Sequence, residues 1–230
     1  FIRGAHYQQC ARFLDLCDEM GVLFWEESLA WGNGAETGKS PFPPDESEDA
    51  GFCEMQVRQT REMVRASFNH PSVIVYGFLN ECASGRKSVK RLVDRLVATV
   101  KAEDSGRLVT FACNNIDTDI SCANVDLVSL NAYPGTIPAT PGTPAQLKEK
   151  VEKRFTSAIA RFRRLYPDKP IMVSESGCGG MYGVHDPNAS INTEEYQEEY
   201  LRDILECLWA NPDCSGFAIW QMNDGRTRER

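Results

Sequence analysis

Seven short runs dense in apolar and β-branched residues punctuate the chain, at 1–4, 22–27, 73–79, 108–113, 125–130, 170–174 and 215–220. The clearest, VIVYGFL at 73–79, shows no apolar/polar alternation. Such a run reads as a strand buried on both faces, the kind found in parallel sheets. Between the runs, apolar positions recur at helical spacing. Cys10, Phe13, Leu14 and Cys17 share one face. So do Val89, Leu92, Val93, Leu96, Val97 and Val100, and again Val151, Phe155, Ala158 and Phe162. Asn192 stands where it would cap a helix whose first turn carries Glu194 and Glu195, acidic groups favoured at the positive end of the dipole. The gap 114–124 is too short for a crossover helix and predicts a loop or a single turn.

Strands alternating with helices give an α/β protein with a parallel sheet. A doubly wound open sheet would offer a Gly-rich phosphate loop after its first strand. The one glycine cluster after a strand, Gly177, Gly179 and Gly180, lacks the GxGxxG spacing. The pattern therefore predicts a (β/α)8 barrel over residues 1–230, lacking in this chain its first strand/helix unit and forming part of a longer multidomain protein. Two long loops, 28–51 and 177–192, follow strands, so both should lie over the C-terminal mouth where barrels build their pockets. They carry Trp31, Met181, Tyr182 and His185; the stretch 39–49 reads as a surface insertion.

Composition narrows the functional classes. The 230 residues are 42% hydrophobic and 25% charged, ordinary for a globular chain with a real core. A formal net charge of −8 with no basic stripe argues against a nucleic-acid or anionic-membrane partner. No apolar stretch approaches the roughly 20 residues of a membrane span. The nine cysteines include no CxxC pair, so zinc and redox motifs have no support. Cys10 and Cys17 are expected to be small core residues. Unpaired cysteine usage of this kind leans towards a reducing compartment such as the cytoplasm, with periplasm and secretion left open.

Chemistry concentrates where the strands end. Reading the C-terminal tips gives His6 and Tyr7, Glu26 and Glu27, Asn80 and Glu81, Asn131 and Tyr133, Glu175, then Trp220 with Asn223 and Asp224. A ring of carboxylates, amides and aromatics suits sugars: polar groups bind hydroxyls, and an indole face stacks on the C–H face of a pyranose. Two carboxylates from separate strands are the minimum apparatus for cleaving a glycosidic bond. A serine hydrolase would need a GxSxG elbow, which is missing. A thiol hydrolase on Cys82 or Cys178 would draw its base from His6, His70 or His185; His70, before Pro71, reads as structural. Glu26 and Glu27 also admit a purely structural reading as salt-bridged groups.

These residues sit in segments that resemble the catalytic barrel of the family 2 glycoside hydrolases. RGAHYQQCARFLDLCDEMGVLFWEE is similar to that family's HYP, helix, CDExG, strand and acid segment. NHPSVIVYGFLNE resembles its acid/base segment, KPIMVSESG its nucleophile segment and GFAIWQMND its last-strand Trp segment. VSLNAY and the stretch GVHDP to TEEYQEEYL look most like the β-glucuronidases. Gln8 in place of the proline of HYP, and Ser176 where glucuronidases usually have Tyr, depart from that pattern. The resemblance implies a retaining exo-β-glycosidase. Glu81 would be the acid/base and Glu175 the nucleophile. Asn80 would bind the sugar 2-hydroxyl, and Tyr133 would orient the nucleophile. His6, Glu27, Asn131 and Trp220 would line the sugar subsite. No metal or other cofactor is implied. The expected partners are a carbohydrate, other domains of the same polypeptide and further copies of the chain. β-Galactosidase or β-mannosidase activity, and an inactive carbohydrate-binding barrel, remain alternatives.

Overall fold

The computed structural model describes residues 1–29, 46–134 and 144–223. Trp31, residues 39–45 of the expected insertion, and Asp224 lie outside the described residues. Among those described, seven strands form one sheet in chain order, every neighbouring pair parallel. They are β1 (Ile2–Arg3), β2 (Phe24–Glu27), β3 (Val73–Asn80), β4 (Leu108–Cys113), β5 (Val128–Asn131), β6 (Ile171–Ser176) and β7 (Cys214–Ile219). The helices between them are α1 (Ala11–Met20), α2 (Ala50–Ser67), α3 (Lys87–Glu103), α4 (Pro144–Leu165) and α5 (Glu194–Trp209). Sequential parallel pairing with helical crossovers is the winding of a (β/α) barrel, here with seven strands. The β4–β5 connection contains no helix, as its length predicts.

The periodicities place the core. All six apolar positions of the α3 face are buried, as are Val151, Phe155, Ala158 and Phe162 of α4. They pack on the outward faces of the strands, where Phe24, Tyr76, Phe78, Phe111 and Leu130 are buried. Burying each such side chain is worth roughly 1.5–3 kcal/mol, which is what holds helices to sheet. Inside the barrel a smaller layer forms from Trp25, Val75, Leu127 and Met172. Above it Thr110 Oγ1 and Ser129 Oγ, 2.8 Å apart, satisfy each other. The indole of Trp25 fits because residue 77 is glycine; a Cβ there would lie 2.1 Å from Nε1.

Two local expectations are corrected. Cys10 is exposed and precedes α1, so only Cys17 joins the core. The N-cap of α5 is Thr193, whose hydroxyl accepts the Tyr196 N–H at 3.2 Å, not Asn192. Asn192 instead takes φ 72°, a left-handed conformation asparagine tolerates. Its carbonyl accepts the Met181 N–H at 2.8 Å. His70 bonds Asp18 of α1 at 2.7 Å, and the Ser72 N–H bonds the same carboxylate, which ties α1 to the start of β3.

Candidate active site

Simple alternation along β3 and β6 would aim the key residues the wrong way. In β3, Val75 lines the interior, so Gly77 and Leu79 should follow it inward and Asn80 should face out. The β3–β4 register shifts between Gly77 and Asn80. Leu79 takes φ 49°, and its side chain joins the outer core. The bulge restores Asn80 to the interior. In β6, Met172 and Ser174 face inward, and the register against β5 skips from Val173 to Glu175. Ser176 consequently turns out to Tyr200 of α5 (3.4 Å), and Glu175 turns in. Bulges that re-aim one side chain are a recurrent device beside sites.

What they are turned towards is Arg3, at the end of β1. Its guanidinium donates to Glu175 Oε1 at 2.6 Å, to Glu27 Oε2 and Oε1 at 3.0 and 3.2 Å, and to Asn80 Oδ1 at 2.9 Å. It stacks over the Trp25 ring at 4.8 Å and is nearly wholly buried. Burial alone would weaken its charge, but Glu27 and Glu175 outweigh that and raise its pKa. Burial likewise pushes the Glu27 carboxyl up, and Arg3, helped by His6, more than reverses it, so Glu27 titrates below its ordinary range. Arg3 received no role from the sequence. The available signal was a lone cation in an otherwise apolar first strand.

The remaining groups close the ring. Tyr133 Oη donates to Glu175 Oε2 at 2.6 Å, so each oxygen of Glu175 has one donor. Asn131 Nδ2 donates to Asn80 Oδ1 and to Glu81 Oε1, both at 3.0 Å, while its own Oδ1 accepts from Ser174 Oγ at 2.7 Å. Asn80 Nδ2 is buried without an acceptor among the described residues. Glu81 takes φ 52°, its N–H held by the Ala112 carbonyl at 2.8 Å. Burial raises the Glu81 pKa, the Asn131 bond opposes this, and the charge of Glu175 adds to it. His6 stacks on Trp220 with ring centroids 5.0 Å apart, and its Nδ1 lies 3.5 Å from Glu27.

The arrangement therefore brings together His6, Glu27, Asn80, Glu81, Asn131, Tyr133, Glu175 and Trp220. It offers a carboxyl whose pKa burial raises, a carboxylate paired with a cation, and a spare amide donor. Glu26 is not part of it: it faces outward from β2, accepts the Gln9 N–H at 3.1 Å and makes no ion pair among the described residues. Tyr7, Met181 and Tyr182 are exposed, and His185 bonds Glu195 at the surface.

A family model described as "Glycosyl hydrolases family 2, TIM barrel domain" matches residues 1–227. The chain belongs to glycosyl hydrolase family 2. A β-glucuronidase of Bacteroides fragilis is 29% identical over 230 residues, which is 97% of this chain and 30% of that protein. Two solved family 2 structures are also similar. A β-galacturonidase from Eisenbergiella tayi bound to galacturonate has a TM-score of 0.80 and 31% identity over 96% of this chain and 36% of that one. A β-D-glucuronidase from Dictyoglomus thermophilum has a TM-score of 0.87 and 25% identity, covering 99% of this chain and 39% of the other. This family 2 barrel thus spans about a third of the length of these relatives.

Proposed function

We propose that this barrel is the catalytic domain of a longer polypeptide acting as a retaining exo-β-glycosidase on terminal β-linked uronides, β-glucuronides first. The observation that carries the reading is the pair Glu81 and Glu175, one directly after β3 and one on β6, linked through Asn131, Asn80 and Arg3. Glu81 gives its proton to the glycosidic oxygen as the C1–O bond breaks, and Glu175 forms a bond to C1. In the second step Glu81, now a carboxylate, takes a proton from water. That water attacks C1, and Glu175 leaves. Loss of the Glu175 charge on glycosylation removes one cause of the raised Glu81 pKa, so the same group becomes able to serve as base. Tyr133 and Arg3 hold the two oxygens of Glu175 in place. The spare Nδ2 of Asn80 is a donor for the sugar 2-hydroxyl, and the His6–Trp220 stack offers an apolar face to the ring. Both named classes of relative act on uronides, which supports that class. The β-galacturonidase likeness favours the galacturonide as second reading.

The test uses the full polypeptide with aryl β-glucuronide, β-galacturonide, β-galactoside and β-mannoside. A uronide should be turned over with a β-configured first product. Glu175→Gln should lose activity on every substrate, and Glu81→Gln should lose roughly 10²–10⁴-fold where the leaving group is poor. Azide should rescue Glu81→Gln as the β-glycosyl azide and, if it acts at all, Glu175→Gln as the α-azide. Azides of the opposite configuration would swap the roles. No effect of either substitution would move the site elsewhere, and no turnover of any substrate would favour a carbohydrate-binding barrel.

A further inference from the structure

At the end of β4 lies a second group of buried polar side chains. Cys113 ends β4, and the helix-free connection that follows brings Asp119 and Cys122 back against it. All three are buried, and one donor atom from each lies within 4.8 Å of the other two. Cys113 Sγ is 3.8 Å from Asp119 Oδ1. Asp119 makes no ion pair among the described residues, although it is only 3% exposed. Its oxygens accept instead from the backbone N–H groups of Ser121 and Cys122, each at 3.2 Å, and from Tyr166 Oη at 3.4 Å. A buried carboxylate without a cation is costly, and partial dipoles offset only part of that cost.

We propose that Cys113, Asp119 and Cys122 form a zinc site with three protein ligands. Two thiolates with one carboxylate suit zinc better than a hard cation. In such a site, neighbouring donor atoms stand about 3.5–3.8 Å apart, from ~2.0–2.3 Å bonds. The Cys113–Asp119 pair is already at that spacing, and closure of the wider pairs takes about an ångström. The two N–H groups and the tyrosine hydroxyl fix the carboxylate, the kind of outer support that metal ligands need. Cys82 follows Glu81 in the loop after β3 and is buried, but its thiol stands outside the close triad. Ser84 Oγ, from the same loop, lies 3.3 Å from Cys113 Sγ. A metal here would tie the end of β4 to the loop that follows it, and Ser84 of the loop after β3 packs on the Cys113 ligand. The Ala112 carbonyl that holds the Glu81 N–H stands directly before Cys113. Because no CxxC pair marks the site, a survey of cysteine spacing passes over it; one of its ligands is the aspartate of Asp119-x-x-Cys122. The proposal is independent of whether Glu81 is catalytic.

Zinc content is the direct readout, measured by mass spectrometry on the full polypeptide purified reduced and without chelator. About one zinc per chain is expected, falling to roughly a tenth or less in Cys122→Ser and in Asp119→Asn. Cobalt(II) reconstitution of the wild type should give a thiolate-to-metal absorption band that Cys122→Ser lacks. Should either variant fail to fold, the wild type alone decides: strong chelation should lower its melting temperature, and zinc but not magnesium should restore it. The proposal is overturned if reconstituted wild type holds almost no zinc, or if both folded variants hold as much as the wild type. An intact mass lighter by two hydrogens, with Cys113 bonded to Cys122, would overturn it as well.

Discussion

Replacing Arg3 with Met removes one cation from between two buried carboxylates while keeping most of the side chain's volume. Glu27 loses both bonds of a fork, Glu175 loses a 2.6 Å bond, and Asn80 loses a 2.9 Å bond. Removing one partner of a buried ion pair costs about 3–5 kcal/mol, because the other charge stays buried and unpaired. At about 2–4 °C per kcal/mol for a domain of this size, the melting temperature should fall by roughly 6–20 °C near neutral pH. The pH dependence is the sharper readout. In the wild type Glu27 titrates below its unfolded value, so its contribution is present above that value and lost as pH falls through the folded one. Without Arg3 only burial is left as the leading influence, and the direction reverses: the variant loses stability as pH rises through the raised Glu27 value. The deficit relative to wild type should therefore shrink from pH 7.5 to pH 5.

Urea unfolding at both pH values, with kcat and KM on an aryl uronide, separates charge from geometry. Arg3→Lys supplies a charge but not a planar fork able to hold three partners. It should recover much of the wild-type pH trend while kcat stays low, since Glu175 is no longer fixed. A deficit equal at pH 5 and 7.5 in Arg3→Met would refute the ion-pair reasoning. A wild-type kcat in Arg3→Lys would show that the fork has no positioning role.

Three further outcomes follow from the same geometry. Tyr133→Phe removes the 2.6 Å donor to Glu175; a hydrogen bond to a charged group is worth about 1.5–3 kcal/mol, so kcat should drop roughly 10–150-fold with the fold unchanged by circular dichroism. Glu26 is pushed by burial from 4.5 to about 7, only partly opposed by the Gln9 N–H. The folded state keeps a proton that the unfolded chain releases, so this residue's contribution is full below 4.5 and is lost as pH rises through about 7. At about 1.36 kcal/mol per unit, Glu26→Gln should gain about 2.5 kcal/mol at pH 8 relative to pH 5 in urea titrations, and a pH-independent difference would contradict the assignment. Gly77→Ala drives a Cβ to within 2.1 Å of Trp25, beneath Arg3, and should cost about 1–3 kcal/mol; an unchanged unfolding midpoint would mean that the indole has room to move.

The architecture was legible because burial is written in periodicity. An apolar run without alternation marks a strand covered on both sides, and the α3 face from Val89 to Val100 is buried at every position read from its spacing. Strand ends were less sharp. β2 starts at Phe24 rather than Val22, whose N–H is taken by the Cys17 carbonyl closing α1. β5 starts at Val128 because the Asp126 N–H still bonds Val109. Cap identity slipped by one residue at Asn192, since adjacent polar residues offer the same chemistry and only backbone angle decides between them. Arg3 went unread for a different reason. A single cation near a chain's start has no pattern of its own, and its three partners lie 24, 77 and 172 residues away in sequence.

The bulges show why identifying a residue and knowing its direction are separate problems. Side-chain direction in a strand has a period of two, so one extra residue reverses everything after it. Counting inward from Val75 puts Asn80 outside the barrel, and counting from Met172 puts Glu175 outside. Both would then be charged or polar groups set in the apolar core under α3 and α5, an arrangement with a large desolvation cost. The sequence relieves this with local backbone changes, a left-handed Leu79 in β3 and a skipped position at Ser174 in β6. Each change does two things at once. It sends an apolar or neutral residue outward, Leu79 into the outer core and Ser176 to Tyr200, and it turns a polar one inward to Arg3. The strands are therefore regular only as far as the core needs them. They become irregular at the height where the barrel interior changes from Trp25 and Met172 to carboxylates and amides, so the same two distortions that end the packing also assemble the site.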